Sequence, residues 1–346
     1  MTLRISGSGI NSSSDSSESV WSDRDPKHVE SLVRKAVDKL DLPYKKTVSH
    51  PYSNEVQKLT IQWIHRYRII EDHAKIEKIN ASKFADFLGR AHPRADKETL
   101  SIVVDFATWL FIYDDMIEKC SNQETVNRFH ERSIAVLSGE KVNDEDDPLT
   151  LGLSDIAERI TKICSSLIWR QRLIKEMQRY CNGTLWELFN REKSRVPLLE
   201  EYQCKRLDTS GTQAMFCFIE MIEKVQISQT VFESDYFKKI CRLGANLVNW
   251  ENDLLSAPKE IKSGDLHNLV FVYQGPSSSG YEKAIESVCE DLKDDLERFR
   301  KLAKEIPDFG SETEAVKKYL TGIQDWVAAH HFWAIESPRY VISKSV

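Results

Sequence analysis

Asp114-Asp115-Met116-Ile117-Glu118 closes the most apolar stretch of the chain, which includes Ile102-Val103-Val104 and runs on from Phe106 to Tyr113. On a helix Asp114 and Glu118 stand at i and i+4 and face the same way. Hard oxygen donors so placed suit Mg2+, which takes a few carboxylates together with water and substrate phosphate oxygens. Spacing alone does not separate a metal site from a solvated pair. Asp291 and Asp295 share it, and there Leu292, Leu296 and Phe299 mark the buried side, so those two carboxylates are expected on a solvated face. The first pair differs in position, because carboxylates abutting Trp109 to Tyr113 are costly to bury without a partner.

A second cluster lies in Asn252-Asp253-Leu254-Leu255-Ser256-Ala257-Pro258-Lys259-Glu260. Asn252, Ser256 and Glu260 fall at i, i+4 and i+8, a single stripe offering an amide oxygen, a hydroxyl and a carboxylate, half of an octahedral metal site. The plainer reading is a polar helix end whose serine bonds to nearby backbone. Pro258 deletes one helical hydrogen bond, so a bend is expected between Ser256 and Glu260. Near the end of the chain Arg339 offers a planar fork for phosphate and Tyr340 a hydroxyl donor, a pair without meaning by itself.

The elements that must carry these groups are helices. The 346 residues include only 13 glycines and 10 prolines, too few turn residues for a many-stranded protein. Apolar residues recur at helical spacing in Val29-Leu32-Val33-Val37-Leu40 and in Val56-Leu59-Trp63-Ile64 after His50-Pro51. Further helical segments are read at about 98–118, 155–190, 200–227, 232–260, 281–305 and 312–337, giving one all-α domain over residues 27–346 with about ten helices. The acidic run Asn143 to Asp147 before Pro148 reads as a solvated loop, and residues 1–26 as a Ser-rich, disordered tail without a signal or transit pattern.

Composition narrows the function classes. With 41% hydrophobic and 29% charged residues the chain is globular in type, and no run approaches the ~18 apolar residues of a membrane span. A net charge of −6 gives no electrostatic reason to bind nucleic acid. The seven cysteines are scattered and never form CxxC, which argues against a disulfide framework or zinc site and for a reducing, cytoplasmic setting. His330-His331, near Trp333, is read as a surface or core pair in preference to a cavity-facing one, and His267 as part of a loop after the Asn/Ser/Glu helix that could close over the site.

Asp-Asp-x-x-Glu at 114–118, Asn-Asp-x-x-Ser-x-x-x-Glu at 252–260 and Arg339-Tyr340, in that order and with those separations, together resemble the class I terpene synthases. Among these the chain resembles the single-domain microbial type that includes sesquiterpene cyclases, over about residues 50–346. The resemblance implies an antiparallel helical bundle of the class I terpenoid synthase type, a prenyl diphosphate substrate and three Mg2+ ions. Asp114 would bind two of them, Glu118 would stand where many members have Asp, and Asn252, Ser256 and Glu260 would hold the third. Asp115 would pair with Arg339. Arg206, 46 positions before Asn252, matches the diphosphate-sensing arginine, and Leu207 to Gly211 resembles the helix break whose carbonyl helps trigger ionisation. Thr209 then takes the linker position and Ser210 the effector position, and Lys259 matches a lysine used on the diphosphate.

The implied chemistry explains the residue types. Mg2+ with Arg206, Lys259, Arg339 and Tyr340 would neutralise the departing diphosphate. The allylic cation must be kept from water, and aromatic faces stabilise it without attacking it. Phe111 and Trp333 occupy cavity-lining positions, whereas Phe106 and Trp109 are assigned to core packing. The expected activity is cyclisation of farnesyl diphosphate to a sesquiterpene. Geranyl or geranylgeranyl diphosphate as substrate stays open, as do a prenyl transferase, which would carry two Asp-rich motifs, and an inactive binding protein, which would have lost ligands. A homodimer is compatible with the resemblance, although no exposed seam stands out.

Overall fold

Asp25 starts the first helix by accepting a hydrogen bond from Lys27 N, and Pro26, with no N–H to leave unpaired, fills the first helical position. The computed structural model describes residues 25–40, 42–275 and 280–340, so most of the Ser-rich segment lies outside the described residues. In chain order the helices are α1 (Pro26–Lys39), α2 (Ser53–Arg66), α3 (His73–Ser82), α4 (Phe84–Ala91), α5 (Lys97–Glu118), α6 (Gln123–Leu137), α7 (Pro148–Ile163) and α8 (Leu167–Glu192). They continue as α9 (Leu199–Thr209), α10 (Thr212–Glu223), α11 (Gln229–Phe232), α12 (Asp235–Ser263), α13 (Leu269–Gln274), α14 (Gly280–Lys304) and α15 (Thr313–Glu336). A 3-10 turn at Pro338–Tyr340 follows, and the described residues contain no strand.

The expected all-α architecture is present, with fifteen α-helices among the described residues where about ten are expected from the apolar pattern. Short breaks account for part of the difference, and helices outside the segments read from the sequence, α6, α11 and α13 among them, for the rest. Lys83 takes a left-handed conformation between α3 and α4, Cys164 to Ser166 divides α7 from α8, and Gly211, at φ 65°, divides α9 from α10. None of these breaks interrupts the hydrophobic periodicity by more than a turn.

Two helices dominate the interior. α5 is buried on nearly every face, including Ile102, Val103, Val104, Phe106 and Trp109, and is packed by α2, α4, α7 and α10. α12 packs against α1, α14 and α15. α4 and α15 on one side, with α8, α9 and α10 on another, link these two helices and enclose the space between them. That arrangement places the C-terminal halves of α5 and α12, with their oxygen donors, on two walls of one cavity.

Three local expectations resolve here. Asp291 and Asp295 are not on a solvated face: Asp295 is 8% exposed and accepts from Asn246 Nδ2 at 2.8 Å and Trp250 Nε1 at 3.1 Å, while Asp291 takes Gln203 Nε2 and the Tyr273 hydroxyl. The seam of α14 against α12 is wide enough to include the position beside Leu296, and two polar donors from α12 make the burial tolerable. The acidic loop behaves as read, with Asp146 bound to Arg132 and Asp147 capping α7. α12 runs through Pro258 to Ser263, and the Asp253 carbonyl accepts from the Asn268 side chain at 2.6 Å. All seven cysteines are free thiols, four of them buried.

Two histidines make stability depend on pH. His92 at the end of α4 is 2% exposed, and burial, followed by Arg94 and His50, pushes its pKa down to about 3; burial alone takes His130 down to about 4. Their unfolded values lie near 6.5, so between that value and about 4 the unfolded chain gains protons that the folded one refuses. Each histidine therefore removes about 1.4 kcal/mol of stability per unit as pH falls through this window. Buried carboxyls with raised values act in the opposite direction, so the difference between two proteins is the clean observable. His92→Asn should flatten the stability–pH slope by about one proton in urea unfolding between about pH 4.5 and 6.5. An identical slope in both proteins would refute this role.

Candidate active site

Asp114 lies in the last turns of α5, where the fully buried Tyr180 hydroxyl of α8 donates to its Oδ1 at 2.6 Å. Burial lifts the Asp114 carboxyl above its ordinary value, with the Tyr180 bond acting against the rise and Asp115 adding to it. Solvent reaches Glu118 through the cavity mouth, yet enclosure by the surrounding protein, together with the charges of Asp114 and Asp265, pushes it up to about 8. Asp115 points toward Arg339, whose Nη2 is 3.9 Å from Oδ1 and whose guanidinium sits 4.6 Å over the Phe111 ring.

On the facing wall, Asn252 uses both ends of its amide: Oδ1 accepts from Arg206 Nη2 at 2.9 Å and Nδ2 donates to the Tyr340 hydroxyl at 2.8 Å. Ser256 is buried one turn on. Glu260 Oε2 accepts from Asn268 Nδ2 at 2.7 Å, and burial, then the charges of Asp265 and Asp253, push this carboxyl up to about 7. Lys259 lies at the rim.

Arg206 is held rigidly. Its Nε donates to Asp253 Oδ1 at 2.9 Å, and the other Asp253 oxygen accepts from the Tyr202 hydroxyl and from Leu269 N. Nη1 reaches Thr209 Oγ1 at 3.4 Å, the last residue of α9, so the arginine is tied to the break that follows. Thr209 and Ser210 both border the cavity. α8 approaches the break at Gly183, where an added Cβ would lie 2.6 Å from the Asp208 carbonyl oxygen; only glycine admits that contact.

The far end of the cavity is apolar. Trp333 stacks on Phe87 at 4.6 Å and anchors its Nε1 on the Ser82 carbonyl, and Phe111 stacks on Phe84 at 4.4 Å. Phe87, Leu110, Met215 and Trp326 complete that end. Phe106 and Trp109 face the core and do not line the cavity, as expected. Every residue singled out from the sequence for metal, diphosphate or cation, namely Asp114, Glu118, Arg206, Thr209, Ser210, Asn252, Ser256, Lys259, Glu260, Arg339, Tyr340, Phe111 and Trp333, borders this one cavity.

Several functional neighbours escape the sequence reading. Tyr180 meets Asp114 across 66 positions. Glu187 of α8 lines the cavity, and burial, then Asp265 and Asp114, raise its carboxyl well above the ordinary range. Asp265 also lines it, and Asn268 locks Glu260 in place. Glu187 within Leu185-Trp186-Glu187-Leu188-Phe189 is an acid in an apolar run, a signal of the same kind as that of Asp114. His330 is buried, in keeping with the core reading, and it also borders the cavity and bonds to Glu251, because the apolar face of α15 turns it inward. His267 likewise lines the cavity.

The donor set fits Mg2+. Carboxylate, amide and hydroxyl oxygens face one space, no thiolate borders it, and carboxyls that raise one another are relieved by cations. Among the described residues no three carboxylate, imidazole or thiolate groups form a closed cation cluster. Arg206, Lys259 and Arg339 border the same cavity.

Residues 105–298, which contain both acidic motifs and Arg206, match the family described as terpene synthase family 2, C-terminal metal binding. The (+)-T-muurolol synthase ((2E,6E)-farnesyl diphosphate cyclizing) of Roseiflexus castenholzii is 28% identical over 306 residues, covering 87% of this chain and 93% of the relative. Germacrene A synthase of Nostoc punctiforme is 28% identical over 296 residues, covering 84% of this chain and 91% of its own. In fold the chain is similar to linalool/nerolidol synthase from Streptomyces clavuligerus, with a TM-score of 0.77 at 19% identity, covering 85% of this chain and 100% of that one. No helix among the described residues is long and apolar enough to cross a membrane.

Proposed function

The chain belongs to the class I terpene synthases, and on that premise we propose that it ionises farnesyl diphosphate with Mg2+ and cyclises the allylic cation to a sesquiterpene, releasing diphosphate. The observation that carries this reading is the division of one cavity into an oxygen-donor mouth with cationic side chains and an aromatic far end. A diphosphate fits the first and a C15 chain folded away from water fits the second. The farnesyl chain length follows the relatives, one of which is described as cyclizing (2E,6E)-farnesyl diphosphate.

Asp114 and Glu118 would hold Mg2+ on one wall and Asn252, Ser256 and Glu260 on the other, with three ions as the full complement. Mg2+ bound there supplies Lewis-acid neutralisation of the diphosphate charge. Arg206, Lys259, Arg339 and Tyr340 bind and orient the diphosphate oxygens. Thr209 ties Arg206 to the break, so a pull on the guanidinium is transmitted to the backbone at Ser210. Phe111 and Trp333 line the apolar end, where they would shield the cation from water.

The test is incubation of the protein with farnesyl diphosphate and Mg2+, with gas chromatography–mass spectrometry of a hexane extract. Geranyl and geranylgeranyl diphosphate run in parallel. A cyclic C15 hydrocarbon or alcohol from the farnesyl arm is the expected result. Product from another arm alone would reassign the substrate, and product from none would overturn the reading.

A further inference from the structure

The apolar end of the cavity contains one basic group that the diphosphate chemistry does not use. His330 lies on α15 one turn before Trp333, is 3% exposed and borders the cavity. Its ring stands among aromatic faces, 6.0 Å from Phe87 and 6.1 Å from Trp333. Six residues of helix separate it from the end of α15, about 9 Å of rise below the turn that carries Arg339 and Tyr340. A proton released beside it is therefore remote from the diphosphate end.

The ring is fixed from behind. Nδ1 donates to Glu251 Oε2 at 3.0 Å, and Glu251 is buried in α12 and does not border the cavity. The other Glu251 oxygen is taken by His331, whose ring meets Tyr44 edge-on at 5.3 Å. A carboxylate oxygen accepts, so each Nδ1 carries the shared hydrogen. With its hydrogen on Nδ1, the His330 ring has its lone pair on Nε2. No described residue donates to that nitrogen, and the edge that carries it is the one left to face the cavity.

We propose that His330 is the base that ends the reaction. Its Nε2 takes a proton from the carbon next to the cationic centre of the cyclised hydrocarbon, the C–H electron pair becomes the product's new π bond, and the cation is discharged. The imidazolium formed is stabilised by Glu251, and its proton leaves to solvent when the site opens with the diphosphate. The inference rests on the reading of the chain as a prenyl diphosphate cyclase. His330 and Glu251 then decide which alkene is made, whereas the mouth decides how fast the substrate ionises.

His330→Gln and His330→Phe differ in shape and share only the loss of the base. Each should reduce the principal wild-type alkene by more than about tenfold as a share of product, in favour of isomeric alkenes or water-captured alcohols. Cleavage of the diphosphate from the substrate, which precedes the proton step, should slow by less than about fivefold in single turnover. Glu251→Gln leaves the cavity contour intact and should move the product share in the same direction; thermal melting reports whether it folds, and the two His330 variants decide the matter if it does not. Retention of the wild-type alkene as principal product in either His330 variant would overturn the proposal. Absence of any product from the wild-type protein would overturn the cyclase reading itself, a different observation in a different arm.

Discussion

Asn252→Ala stops cyclisation: product formation should fall on the order of 100- to 1,000-fold, the loss seen when one preorganised electrostatic donor is removed from an ionising site. Both ends of this amide are committed, Oδ1 to Arg206 and Nδ2 to the Tyr340 hydroxyl, so the substitution removes the proposed metal oxygen and also releases the two proposed diphosphate-binding groups from a common tie. Stability should drop by only about 1 kcal/mol, the value of a typical hydrogen bond, because Arg206 keeps Asp253 and Tyr340 lies beside Trp333. Asn252→Asp, which keeps an oxygen at the same place, should retain more turnover than the alanine variant. Titration of Mg2+ in the presence of inorganic diphosphate by calorimetry should show the same ranking without any reaction. An alanine variant that keeps a tenth of wild-type turnover would remove Asn252 from the proposed metal set.

What the sequence shows of this site follows from what is local. Asp114 and Glu118 are one turn apart on α5, and Asn252, Ser256 and Glu260 lie within three turns of α12, so helical period alone puts each set on one face. The apolar run before Asp114 likewise marks the helix that ends at the centre of the bundle. The supports of these residues are not local. Tyr180 reaches Asp114 from α8, and Asn268 reaches Glu260 from beyond the end of α12. Asp253, next to a metal candidate, is instead the anchor of Arg206, 47 positions away. Period-based reading also misplaced Asp295, since the width of a buried face depends on which helix lies across it, and Trp250 and Asn246 are invisible from within α14. His330 is the same case in reverse. A histidine near an aromatic residue is ordinary core on pattern alone, and only the fold shows that its free edge borders the cavity.

Arg206 gives the other large effect, and two substitutions separate its functions. Asp253 is 1% exposed, and burial lifts its carboxyl above the ordinary value even though Arg206 acts against the rise. The pair is thus strongly desolvated, and removing one partner leaves a buried charge that only Tyr202 and Leu269 N still serve. Arg206→Ala should cost about 3–5 kcal/mol of stability together with activity. Arg206→Lys keeps a charge for Asp253 but has no planar fork, so it cannot hold Asp253, Asn252 and Thr209 at once. It should lose only about 1–2 kcal/mol in urea unfolding while turnover falls at least about 100-fold, because the link from diphosphate to the α9–α10 break runs through the lost nitrogen. A lysine variant that folds and turns over within tenfold of wild type would show that position 206 serves Asp253 alone, and that the break at Ser210 and Gly211 is structural and takes no part in ionisation.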